Sequence, residues 1–174
     1  MDRRWLITFV TLLLLWWVVA AINHHLAPYG ASLFVGGLLV TSGALRLQLR
    51  SGLVATLLVG LAIDAVEPVP AGTHLLLFGT MHVLLFQVRT RFPREEVMLG
   101  VVAALFANLG LFLGVSLVVL GRHPAPGAAW LRLFAALGWS QLFLVAIAPW
   151  FFALQRRALE LGRVDLVEEH RQSF

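Results

Sequence analysis

The chain has 174 residues, 60% of them hydrophobic and only 13% charged, with a mean hydropathy of +0.88. An ordinary soluble domain is roughly 25% charged, so this composition belongs to the membrane class, and the length suits one integral membrane domain with no second folded unit. Cysteine and lysine are both absent, which excludes disulfides, thiolate metal sites, cysteine nucleophiles, Schiff-base lysines and phosphate-loop lysines.

A helix that crosses a bilayer needs about 20 mainly apolar residues. In chain order such runs fall at 5–22, 29–47, 52–66, 73–88, 96–120 and 131–154. The first follows Asp2, Arg3 and Arg4, as a secretory signal would. It carries Trp5, Trp16 and Trp17 and no clean small-residue cleavage site, so it is expected to be retained. The third and fourth runs are short and fit a paired hairpin. Breaks are expected at Asn23-His24-His25 with Pro28, at Arg50-Ser51-Gly52, at Pro68-Val69-Pro70, at Pro93, and at Pro124-Ala125-Pro126-Gly127. Pro93 followed by Glu95 and Glu96 reads as a helix start. A short polar tail, 155–174, closes the sequence, and Arg156 and Glu160 are spaced to extend the last helix as a solvated end.

All 13 positive side chains are arginines, and the net charge is +4. Basic charge here reports topology rather than nucleic-acid binding. With a cytoplasmic N-terminus, one side of the membrane holds Arg3, Arg4, Arg46, Arg50, Arg89, Arg91, Arg94, Arg156, Arg157, Arg163 and Arg171. The other side holds Arg122 and Arg132. The positive-inside rule then selects six transmembrane helices with both termini inside, in a multi-pass cytoplasmic-membrane protein. Lipid is the expected surroundings and no nucleic acid is expected as a partner.

The chemistry concentrates at residues 60–74. Gly60 and Asp64 are spaced i, i+4, so a small residue lies on the carboxylate's face and allows close helix approach. Charge at membrane depth is expensive and is usually kept for a function. Asp64 is therefore either a polar anchor for a partner or ligand, or a helix-end carboxylate that reaches water or satisfies loop N–H groups. Pro68, Pro70 and Gly72 make a stiff turn that suits a hairpin or a recognition surface, and His74 opens the next run. The remaining histidines, His24, His25, His82, His123 and His170, show no metal-ligand spacing, so neither a metal nor any other cofactor is expected. His82 reads as a buried, hydrogen-bonded histidine within its helix.

In the fifth run Asn108, Gly110 and Gly114, with Gly100, Ala103, Ala104 and Ala107, form a ridge for helix packing. Asn108 is placed to make an interhelical hydrogen bond, and Ser140 and Gln141 extend the same polar interior. No hydrolase elbow, phosphate loop, paired acidic motif or HExxH is present, so no catalytic residues are expected and the chain does not read as an enzyme.

Six short spans, arginine-rich inner loops, and Gly60-Leu-Ala-Ile-Asp64 followed by Pro70-Ala-Gly72-Thr-His74 resemble the rod shape-determining protein MreD family. Gly60, Asp64, Gly72 and His74 match its turn between the third and fourth helices; the Glu67-Pro-Val-Pro70 insert departs from it. The resemblance implies a non-enzymatic inner-membrane scaffold of the bacterial elongation machinery, acting in cell shape and peptidoglycan synthesis. It implies a bitopic MreC-like partner and, through it, the actin-like shape protein and the wall-synthesising glycosyltransferase and transpeptidase. The family's six-helix layout is similar to that of the substrate-binding subunits of energy-coupling-factor vitamin transporters, which supplies a rival reading. Such a subunit would line an outward pocket with Asp64, His74, Asn108 and Gln141. It usually carries an alanine-rich docking patch on its first helix, where this chain has Leu12–Leu15, Trp16 and Trp17.

Overall fold

The computed structural model describes residues 4–89, 97–121 and 126–161, excepting the side chains of 126–129. Among them are six α-helices: α1 (Arg4–Leu26), α2 (Gly36–Arg46), α3 (Leu49–Asp64), α4 (Thr73–Val88), α5 (Val97–Leu120) and α6 (Pro126–Leu161). Segments containing α1, α5 and α6 are long and apolar enough to cross a bilayer, which marks a membrane protein; α4 is a shorter apolar helix. Large apolar side chains cover their outer faces, including Leu14 and Trp17 on α1, Phe106 and Leu117 on α5, and Leu142 and Trp150 on α6. Such a coat has no favourable partner in water and suits lipid.

At the centre lies α2, the shortest helix, with 11 residues. Gly36 to Ala44 are all buried, and α3, α4 and α5 pack around the helix. Its composition explains the position. Gly36, Gly37, Thr41, Ser42, Gly43 and Ala44 give a thin cylinder against which neighbouring backbones can close. A β-carbon on Gly37 would collide with the backbone of Ala104 and Asn108 in α5. At its end, Arg46 donates to the Phe152 carbonyl (2.7 Å) and its guanidinium stands 5.2 Å over the Phe152 ring.

The second apolar run corrects the expectation of a helix over 29–47. A single 3-10 turn at Ala27–Tyr29 ends at Gly30, held at φ 67°, and the chain is non-helical over 31–35 before α2 begins. Irregular backbone packed inside a protein needs partners for its polar groups. Here side chains from three helices satisfy it. Asn23 of α1 grips Leu33 twice, donating to its carbonyl (2.8 Å) and accepting from its N–H (2.7 Å). Ser140 of α6 accepts from the Phe34 N–H (2.9 Å), and Asn108 of α5 accepts from the Gly37 N–H (3.0 Å).

The expected break at Arg50-Ser51-Gly52 is also corrected: these residues lie inside α3, and the connection is at Leu47–Gln48. Gly52 is a packing glycine, since a β-carbon there would stand 2.8 Å from the Gly43 carbonyl oxygen and from His82. The last helix is longer than expected. It starts at Pro126 and runs through residues 155–161 of the expected tail. Of the expected break at Pro124-Ala125-Pro126-Gly127, Pro126 and Gly127 instead open α6; Pro124 and Ala125, the expected helix start at Pro93, Glu95 and Glu96, and residues 162–174 lie outside the described residues.

Candidate functional site

The α3–α4 turn is built around one carboxylate. Asp64 ends α3, and Gly72, at φ 88°, brings the chain back so that α4 starts beside it. That φ lies in the left-handed region, where glycine is tolerated and other residues are strained. Gly72 occupies the N-cap position of α4 and has no side chain to cap with. Asp64 does this work from the preceding helix. Its Oδ1 accepts from the His74 N–H (2.9 Å) and its Oδ2 from the Leu75 N–H (3.0 Å), the second and third donors of the new helix. A carboxylate there also faces the positive end of the helix dipole. The Thr73 hydroxyl closes the turn by donating to the Pro70 carbonyl at 2.7 Å.

His74 is drawn into the same arrangement. Its Nδ1 donates to Asp64 Oδ1 (2.9 Å), its ring packs edge-on against Phe78, and it is 1% exposed. Gly60, one turn before Asp64, makes the approach possible, because a β-carbon there would lie 3.1 Å from the His74 backbone and Leu75 Cα. Gly60, Asp64, Gly72 and His74 thus form one interlocked turn, with exposed Pro68 and half-buried Pro70 in the connecting loop.

Glu67 completes the site. Its Oε2 stands 3.5 Å from His74 Nε2, beyond hydrogen-bonding length, and its side chain is 41% exposed. Burial pushes the Glu67 carboxyl above the usual glutamate range. The His74 ring opposes that shift, Asp64 adds to it, and a hydrogen bond from the Trp16 side chain opposes it. A cleft of about 50 Å³ opens beside these groups, between α1, the 33–36 segment, α2, α3 and α4. Trp16, Asn23, Phe34, Glu67, His74 and Phe78 are among its lining residues. His74 Nε2 is buried there without a hydrogen-bond partner.

The other residues singled out from sequence lie elsewhere. Asn108 bonds Gly37, while Gly110 and Gly114 of α5 face Met81 and Leu77 of α4. Gln141 donates to the Leu105 carbonyl (3.1 Å), and Asn108 and Gln141 do not line the cleft. His82 is fully buried in α4 and shares a 2.9 Å hydrogen bond with Thr56 of α3. Among the described residues no group of three or more histidine, cysteine or acidic side chains is arranged to hold a metal. Sequence reasoning missed Asn23 and Trp16 as parts of the site and left Glu67 as a loop residue. The available signal was spacing: Asn23 and Trp16 lie seven apart, two turns along one face of α1. No family model, curated protein or solved structure matches the chain.

Proposed function

We propose that the chain is a non-enzymatic membrane scaffold that docks a partner's transmembrane or juxtamembrane segment at the α3–α4 turn. Within that class we assign it to the MreD-like scaffolds of the bacterial cytoplasmic membrane. It spans six times with both termini inside and binds an MreC-like bitopic protein, which links it to the actin-like shape protein and the wall-synthesis glycosyltransferase and transpeptidase. The observation that carries the reading is the turn itself. Asp64 is fully engaged in holding α4, and Gly60, Gly72 and His74 lock the same corner. A rigid corner that presents Pro68 outward suits recognition, because little ordering entropy is lost on binding. His74 Nε2 faces a carboxylate rather than a hydroxyl or thiol, so the pair has no nucleophile to activate.

A second reading is a vitamin-binding transporter subunit, and the polar, aromatic cleft is what favours it. Its volume of about 50 Å³ weighs the other way, since small-molecule sites typically enclose about 300–1,000 Å³. Affinity purification of the tagged chain from its native membrane in mild detergent separates the two. Recovery of an MreC-like protein and wall-synthesis enzymes supports the scaffold. Recovery of an ATPase pair with a coupling membrane subunit overturns it.

A further inference from the structure

The cleft beside the turn is richer in unused acceptors than its size suggests. Both polar atoms of Asn23 are occupied by Leu33, and the Trp16 side chain hydrogen-bonds Glu67. The Asp64 oxygens are taken by His74 and Leu75. Two groups remain facing the space: the Glu67 carboxylate and His74 Nε2, 3.5 Å apart. Asp64 engages Nδ1, which leaves Nε2 as the ring nitrogen of His74 on the side of Glu67 and the cleft. That nitrogen is buried and without a hydrogen-bond partner, and a buried polar group left unsatisfied is costly.

We propose that this cleft receives one cationic side chain, an arginine guanidinium or lysine ammonium, carried by the partner segment that docks at the turn. The proposal rests on the scaffold reading and names the chemistry of its contact. A guanidinium or ammonium supplies N–H donors and opposite charge to the Glu67 carboxylate, beside His74 Nε2. Trp16, Phe34 and Phe78 line the same space, and aromatic surroundings favour a cation. An anion would instead meet the Glu67 carboxylate. The volume, about 50 Å³, holds a head group and not a whole small ligand, so the cation arrives attached to something outside. The cleft is flanked by Glu67, at the start of the same loop that presents Pro68 outward.

The test uses the full chain, labelled with ¹⁵N-histidine, in phosphatidylcholine nanodiscs. The His74 Nε2 resonance is identified by its loss in His74→Gln, then followed during titration with methylguanidinium and methylammonium. The expected result is a saturating displacement, weakened about tenfold or more in Glu67→Gln and not produced by acetate. A non-saturating response, equal binding by Glu67→Gln, or a response to acetate overturns the proposal. A displacement caused by phosphatidylethanolamine nanodiscs alone, blocking the titrants, assigns the cation to lipid and overturns the partner contact. In the purification described above, Glu67→Gln is expected to lower partner recovery while Glu160→Gln leaves it unchanged. Partner recovery by the unmodified chain without any cation response refutes the cleft chemistry alone and leaves the scaffold standing.

Discussion

Replacing Asp64 by asparagine preserves shape and changes only what the carboxylate can accept. In the native turn three hydrogen bonds end on it, from His74 N (2.9 Å), His74 Nδ1 (2.9 Å) and Leu75 N (3.0 Å). Hydrogen bonds to charged groups contribute about 1.5–3 kcal/mol each. An asparagine keeps its oxygen toward His74, but its amide NH₂ then confronts the Leu75 N–H, donor against donor. The expected cost is about 2–3 kcal/mol. Alanine removes both acceptor oxygens and with them all three bonds. A simple sum gives about 5–9 kcal/mol, but the three bonds share one group and are not additive, so about 3–5 kcal/mol is expected. That exceeds the roughly 0.5–2 kcal/mol typical of losing an N-cap side chain, because two backbone donors and a buried histidine lose their partner together. Reversible unfolding in mixed dodecylmaltoside–SDS micelles, followed by circular dichroism, measures the loss. Amide exchange at residues 74–75 reports it locally. The exposed pair Arg156–Glu160 supplies the control, with Glu160→Ala expected within about 0.5 kcal/mol of the native chain. An Asp64→Asn variant equally close to native, with unchanged exchange at 74–75, would refute the capping argument.

Gly37→Ala puts a methyl group against the backbone of Ala104 and Asn108 and is expected to cost about 3 kcal/mol or more, read in the same unfolding assay. A native-like midpoint would show that α2 and α5 can separate freely. The raised pKa of Glu67 means that the folded state holds its proton more tightly than the unfolded chain. Stability from this group is therefore present at low pH and is lost as pH rises from the ordinary value of 4.5 through the folded-state value. Glu67→Gln should abolish that part of the pH dependence, with Asp64 and His74 unchanged; identical pH profiles for the two chains would contradict the assignment. The absence of cysteine makes topology directly measurable. With N-in orientation, a cysteine replacing Pro68 is labelled by an impermeant maleimide on intact cells. One replacing Gln48 reacts only after permeabilisation, and labelling of both from one side would contradict a crossing α3.

Where the sequence carried local conformational signals, its reading coincides with the structure closely. The run at 73–88 has the bounds of α4, Thr73–Val88, because Pro70 and Gly72 can only precede a helix start there. The described part of the run at 96–120 is helical throughout, as α5. Apolar content alone misled at 29–47, since a buried extended strand of chain and a buried helix share the same composition. What separates them is the supply of hydrogen-bond partners by Asn23, Ser140 and Asn108, distant in sequence. Arg50-Ser51-Gly52 looked like a turn because a glycine's need for space and its need for unusual φ leave the same letter. The site was legible in part: Gly60, Asp64, Gly72 and His74 meet as one corner. The role of Glu67 depends on the chain folding back over Trp16 of α1, 51 residues earlier, which no local pattern encodes.

The extended approach to α2 also sets an order of events during synthesis. Phe34 must wait for Ser140, 106 residues later, and Gly37 for Asn108, 71 residues later. Until α5 and α6 emerge, those backbone donors lack the partners they have in the fold, and an unpaired buried donor is costly. The central helix is therefore made early, second in the chain, and completed late. A ribosome that stalls before residue 108 leaves Phe34 and Gly37 without the partners that hold the centre of the fold, so truncated products stay incompletely packed.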